Sequence, residues 1–258
     1  MKGAAARLSC RDVAVDIAGR TLCEHLDFDA GAGECWAIVG PNGAGKTTLV
    51  ATFAGLRAPA AGTIAYDGTP LASLSPRERA RRRGLLPQDN VDFFPATVLE
   101  TVLVGRHPHL SRWQWESAAD IAFARAALAT LDLAELESRD VRTLSGGERR
   151  RVALAALVAQ DPALWLLDEP ASHLDPGQQV EALGTLAALA RERGRTIVMV
   201  VHELHLALRY ADHAIAIGAG HAAAGAAGDI LTAERLSALF GHRLAAVGDG
   251  TARTFVPL

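Results

Sequence analysis

Hydrophobic and polar positions take turns near the start of the chain. Val13, Val15 and Ile17 alternate with Ala14 and Asp16, and Leu26 and Phe28 flank Asp27, the period-two pattern of half-buried strands. Gly19, Gly31 and Gly33 mark turns around them. The run Cys35, Trp36, Ala37, Ile38, Val39 has no polar break and reads as a fully buried strand. A glycine loop follows it, then a helix over 47–56, then a strand over 63–66 ending in an Asp67-Gly68 turn. From about Asn90 to Ala159 the period becomes helical, with helices expected over 98–104, 118–131 and 146–159. Two more unbroken apolar runs, 163–167 and 196–201, are separated by an amphipathic helix over 178–193.

Buried apolar strands alternating with helices predict an α/β fold built on a mostly parallel sheet covered on both faces. No internal repeat and no low-complexity linker divides the chain, so the 258 residues read as one domain. The helical stretch is then an insertion: about 1–88 and 162–258 form the core, and about 89–161 an inserted helical subdomain.

Composition narrows the classes. Half of the chain is apolar, enough for a sizeable core. No apolar run approaches the roughly 18 residues that a membrane span needs, and the start has no apolar stretch of signal-peptide type before Arg11 and Asp12. Three cysteines, Cys10, Cys23 and Cys35, show no metal-ligand spacing and fit small buried side chains in a reducing compartment. The net charge of −3 disfavours a protein that neutralises a nucleic-acid backbone. Nearly all basic residues are arginine, and the two lysines, Lys2 and Lys46, stand out for that reason.

Lys46 sits in the run of greatest chemical content. Gly40, Pro41, Asn42, Gly43, Ala44, Gly45, Lys46 and Thr47 fit G-x-x-x-x-G-K-[ST] between an expected strand and an expected helix. Glycines let backbone N–H groups turn inward and cradle phosphate at a helix N-terminus, Lys46 would reach the β- and γ-phosphates, and the Thr47 hydroxyl would hold Mg²⁺. The strand 164–167 runs into Asp168 and Glu169: Asp168 is placed to hold Mg²⁺ and Glu169 to orient or deprotonate an attacking water. A strand ending in solvated acids would read the same way if it stood alone. Leu144, Ser145, Gly146, Gly147 and Glu148 open the 146–159 helix, with Ser145 at the N-cap and two glycines leaving helix-end amides bare. By themselves these residues are an ordinary cap and turn.

Together, from about residue 7 to the C-terminus, the chain resembles the ATP-binding-cassette (ABC) ATPase family. The phosphate loop matches at 40–47, with Thr48 following it, the family signature at 144–148 and the acidic strand at 164–169. Gln88 resembles the Q-loop glutamine; Ser172, His173, Leu174 and Asp175 resemble the D-loop; His202 resembles the switch histidine. The resemblance implies the ABC ATPase fold, a P-loop core with an N-terminal antiparallel β region. It implies ATP and Mg²⁺ as cofactors, with Thr47, Gln88 and Asp168 around the metal. Glu169, His202 and Gln88 would act in hydrolysis. It also implies a head-to-tail homodimer formed on ATP, in which Ser145, Gly146 and Gly147 cover the partner's nucleotide and Asp175 ties the two sites together. The family usually stacks an aromatic ring on adenine from the first strands; the stretch 13–20 has none, with Val15 and Ile17 in the neighbourhood, so weak base discrimination is expected.

The segment Gly105, Arg106, His107, Pro108, His109, with the D-loop residues 172–175, is similar to the subfamily that serves iron–siderophore, haem and cobalamin importers. That resemblance implies an ATP-hydrolysing subunit at the cytoplasmic face of the bacterial inner membrane. It would work with a separate transmembrane permease, indirectly with an external substrate-binding protein, and with no nucleic acid. An exporter or lipid-transport ATPase, and a soluble scaffold ATPase such as an iron–sulfur-cluster assembly component, are the alternatives. The arginine-rich stretch 75–83 and Arg149, Arg150 and Arg151 read as solvated helix faces. The pairs His107/His109 and His202/His205 lack a completing ligand set. Trp113 and Trp115 read equally as core or as an exposed apolar edge.

Overall fold

The computed structural model describes residues 7–88, 95–172, 174–249 and 253–258. Lys2, the start of the expected helical stretch at Asn90, and His173 lie outside the described residues. Two long strands open the fold, β1 (Leu8–Ile17) and β2 (Arg20–Ala30), followed by β3 (Cys35–Val39), α1 (Lys46–Phe53), β4 (Ala61–Tyr66) and the short β5 (Thr69–Pro70). Next come α2 (Pro76–Arg82), β6 (Arg83–Leu86), α3 (Val98–Leu103), α4 (Ala118–Thr130), α5 (Gly146–Gln160) and β7 (Leu164–Leu167). The chain continues through α6 (Pro176–Arg193), β8 (Thr196–Val200), α7 (Leu204–Tyr210), β9 (His213–Gly218) and β10 (His221–Ala226). It finishes with α8 (Ala227–Ile230), α9 (Ala233–Phe240) and the pair β11 (Leu244–Val247) and β12 (Thr254–Pro257).

The expected α/β architecture is present. A six-stranded sheet runs β10-β9-β3-β8-β7-β6, parallel throughout except for β10, which pairs antiparallel with β9 at the edge. The N-terminal strands form a separate antiparallel sheet in the order β2-β1-β4-β5. Strand alternation sorts the core. Trp36, Ile38, Leu166 and Val200 face the antiparallel sheet and α1. Cys35, Ala37, Val39, Leu167 and Met199 face the helices α3 to α7. Every residue of β3, β7 and β8 is buried, which explains their unbroken apolar sequences.

Helix starts follow local chemistry. Thr97, Ser117 and Ser145 each cap a helix through a reciprocal box with Glu100, Asp120 and Glu148. Between β6 and β7 the chain is helical wherever it is described in regular structure, with a 3-10 turn over Val104–His109. Gly194, in the left-handed region with φ 60°, ends α6. Four chain segments leave the parallel sheet at the carboxyl ends of β3, β6, β7 and β8. That edge is where an open α/β sheet presents its ligand site.

Candidate functional site

At the end of β3 the backbone turns through the glycine loop into α1. Gly43 (φ 74°) and Gly45 (φ 99°) adopt left-handed conformations that a side chain would strain. A Cβ on Gly40 would stand 2.1 Å from the Ile217 carbonyl oxygen of β9, so the loop packs against the sheet only with glycine there. Gly45 is the N-cap of α1 and offers no side-chain cap, so the first-turn amides keep no partner from a capping side chain. Lys46 is 7% exposed and donates to the Gly40 carbonyl at 2.8 Å and the Pro41 carbonyl at 3.0 Å. Burial lowers its pKa, and the nearby Glu169 and Asp168 carboxylates oppose that shift.

Asp168 follows β7 directly. It is 2% exposed, and burial raises its carboxyl pKa, opposed by a hydrogen bond from the Thr47 side chain. Its Oδ1 has no hydrogen-bond partner among the described residues. A buried carboxylate with an unsatisfied oxygen beside a threonine hydroxyl is a donor set suited to a hard divalent cation. Glu169 lies in the left-handed region with φ 52°. That conformation costs a non-glycine residue roughly 1–2 kcal/mol, and Pro170 restricts it further. In return its Oε1 lies 2.6 Å from His202 Nε2, just beyond β8.

Lys46, Thr47, Glu169 and His202 share one cleft of about 590 Å³, lined also by Ile17, Arg20, Leu22, Asn42, Gly43, Gly45, Thr48 and Gln88. Asp168 does not line it and meets it through the Thr47 side chain. Gly40 and Ala44 are buried behind it, and Pro41 is half-buried. The cleft thus brings together the phosphate loop, Gln88, Glu169 and His202. It does not include Ser145, Gly146, Gly147 or Asp175. Ser145 and Gly146 are exposed at the start of α5, where the Ser145 hydroxyl accepts from the Glu148 amide at 3.2 Å. Asp175 caps α6, its Oδ1 accepting from the Gln178 amide at 2.9 Å.

The sequence model of the "ABC transporter" family matches residues 23–172. The chain belongs to the ABC transporter family. This cassette is similar to a hemin import ATP-binding protein of Nocardia farcinica, 43% identical over 86% of this chain and 77% of the relative. It is also similar to a ferric enterobactin transport ATP-binding protein of Escherichia coli, 38% identical over 100% of this chain and 96% of the relative. A solved chain from a transporter described as metal-chelate type, in an inward-facing conformation, superposes with a TM-score of 0.87 at 29% identity, covering 98% of both chains. The resemblance read from the motifs is borne out. The cassette is an ATP-binding domain and an ATPase coupled to transport.

Three sequence expectations about this ABC protein need correction or completion. Arg150 is not on a solvated face: it is 7% exposed. Its guanidinium donates to the carbonyls of Pro87 (2.7 Å), Gln88 (3.2 Å), Asp168 (2.6 Å), Glu169 (2.6 Å) and Pro170 (3.3 Å). Helical spacing held the clue, because Arg150 lies on the stripe of Leu154, Leu157 and Val158, all buried. Of the two aliphatic side chains near the base end of the cleft, Ile17 lines it, whereas Val15 is in the core. Trp113 and Trp115 are 87% and 86% exposed, which settles them as surface.

The arginine-rich stretch divides. Helix α2 has no buried residue, as a solvated helix should, yet Arg77 and Arg81 also donate to the Pro108 carbonyl and Arg79 to the Leu74 and Gly55 carbonyls. Arg83 is not on a helix face: it opens β6, half-buried, and donates to the Ala54 carbonyl at 3.0 Å. In the Gly105–His109 segment, Arg106 is buried against Asp120 at 3.0 Å and also donates to the Ala159 carbonyl. His109 is hydrogen-bonded to the Gln160 carbonyl at 2.8 Å, and His107 pairs with Glu116 at 3.3 Å. His205 is an exposed residue of α7.

Proposed function

We propose that this cassette is the ATP-hydrolysing subunit of an importer for a metal chelate, iron–siderophore or haem, or for cobalamin. Two copies work beneath a separate membrane permease, to which an external binding protein delivers the cargo. The observation that carries the reading is the division of the site. The cleft holds the phosphate cradle, Glu169, His202 and Gln88, while the signature residues Ser145, Gly146 and Gly147 lie outside it on an exposed helix start. A second copy in head-to-tail arrangement supplies what each cleft lacks, and Asp175 at the start of α6 links the two sites. The names of the hemin and ferric enterobactin relatives support the cargo class.

Within one cleft, the first-turn amides of α1 and Lys46 hold the triphosphate. Thr47, Asp168 and Gln88 are the residues that would hold Mg²⁺, which when bound draws charge from the phosphate oxygens. Glu169 takes the proton of the attacking water, and His202, 2.6 Å from it, holds that carboxylate and reaches toward the γ-phosphate. Gln88 senses the bound nucleotide from the end of β6.

Residues of about 1–88 and 162–258 act as the catalytic core, and those of about 89–161 as the helical part that passes movement on. A groove of about 290 Å³ between β6, α3 and α5, lined by Leu85, Pro87, Thr101, Val104 and Gly105, is the surface offered to a permease segment beside Gln88. The cassette attaches peripherally at the cytoplasmic face of the inner membrane, a reading supported by its likeness to the ATP-binding protein of ferric enterobactin transport. No helix among the described residues is long and apolar enough to cross a membrane.

The test is co-purification. The tagged Glu169→Gln variant, extracted from membranes with ATP and Mg²⁺, is expected to bring down a polytopic permease. Recovery of soluble partners alone, with the membranes fully solubilised, would refute the importer reading.

A further inference from the structure

Glu169 presents a problem of local conformation that its own sequence does not solve. A glutamate before a proline has no intrinsic reason to adopt φ 52°, yet that conformation sets its carboxylate against His202. Something outside the turn must hold it. The Asp168 amide donates to the Leu86 carbonyl at 2.8 Å and the Ser172 amide to the Glu169 carbonyl at 3.1 Å. The side chain that grips the turn's carbonyls is Arg150, one helical turn into α5. One terminal nitrogen of its guanidinium donates to the Asp168 and Glu169 carbonyls, both at 2.6 Å, and Nε donates to Pro170. The other terminal nitrogen donates to Pro87 at 2.7 Å and Gln88 at 3.2 Å.

We infer that Arg150 is a positioning residue for hydrolysis. Its planar fork clamps the carbonyls on both sides of the Glu169 turn and ties that turn to the end of β6 that carries Gln88. The inference rests on the reading of Glu169 as the base. Geometry is what the site uses: five carbonyls on two strand ends suit a rigid guanidinium, whereas an ammonium concentrates its donors at one point. Because α5 also begins with Ser145, Gly146 and Gly147, the same side chain joins the helix that would cover a partner's nucleotide to the carboxylate acting on its own. Removal of the clamp releases Glu169 from its left-handed conformation and leaves the phosphate cradle on β3 and α1 untouched. Turnover therefore suffers and nucleotide binding does not.

The test uses the full chain with Arg150→Gln and Arg150→Lys, alone and combined with Glu169→Gln. In the otherwise unaltered protein both substitutions should lower kcat at least tenfold, with KM for ATP and the affinity for a fluorescent ATP analogue changed less than twofold. The lysine variant keeps the buried charge and serves if the glutamine variant fails to fold. In the Glu169→Gln background, single-turnover hydrolysis of labelled ATP should show no further loss, because the group being positioned is gone. An equal proportional loss in both backgrounds, a rise in KM at constant kcat, or an Arg150→Lys variant with unaltered kcat would each overturn the inference. Normal turnover by Glu169→Gln alone would instead remove the reading of Glu169 on which it stands.

Discussion

Two helices in this molecule begin with glycine-rich turns, and they begin differently. Helix α1 starts at Gly45 with no side-chain cap, no acidic residue in its first turn and a lysine at its first position. Helix α5 starts at Ser145 with a closed capping box, and Glu148 stands in its first turn, its pKa held low by the Ser145 amide and hydroxyl. The first start is bare, cationic and set within a cleft; the second is partly satisfied, carries its own negative charge and lies exposed. A helix end of the first kind binds phosphate unaided. One of the second kind adds too little to gather an anion from solution, which fits the role proposed for it, closing over a phosphate already held elsewhere. The contrast is what the proposed division into a cradle and a cover requires of two glycine-rich helix starts.

Substitutions at these two starts and in the cleft separate the roles. The largest effect is expected at Glu169→Gln, which should lower kcat about 10²–10⁴-fold while ATP still binds and a closed dimer accumulates on size-exclusion chromatography with ATP. Lys46→Ala strikes the cradle and should weaken nucleotide binding roughly 30-fold or more, as measured by titration with a fluorescent ATP analogue. Ile17→Tyr supplies the ring that the base end of the cleft lacks. It should tighten ATP about two- to tenfold and raise the preference for ATP over GTP in competition assays. The smallest change is expected from Glu148→Gln, which keeps the capping box and removes the charge from the cover. ATP-driven dimerisation should strengthen about two- to fivefold, with nucleotide affinity of the isolated chain unaltered.

Much of this division was legible in the sequence, and the rest was hidden for physical reasons. The strands β3, β7 and β8 announce themselves because burial on both faces demands unbroken apolar runs. The phosphate loop is legible because left-handed turns demand glycine. Strands β1 and β2 are longer than the expected 13–17 and 26–28, since register shifts interrupt their alternation. Strand β10 is His221–Ala226, mostly alanine, which has little strand preference of its own and leaves no pattern in the sequence. Arg150 lies on the buried stripe of α5, but three consecutive arginines look like a solvated face. Its buried guanidinium is satisfied by carbonyls from two distant strand ends, and no local pattern encodes that arrangement. The split between cradle and cover could be inferred only through family resemblance, because spacing along the chain does not say which helix starts share a cleft.

The three cysteines have a practical consequence. Cys10, Cys23 and Cys35 are free and buried. Burial raises the pKa of each thiol, that of Cys35 to about 12, so none presents a reactive thiolate at neutral pH. The molecule should therefore stay dark to maleimide dyes and spin labels without any cysteine having been removed. One cysteine placed on the exposed loop at Trp113 would be the single labelled position on each chain. Distances between the labels in a pair of cassettes could then be followed through the hydrolytic cycle with the native core left intact.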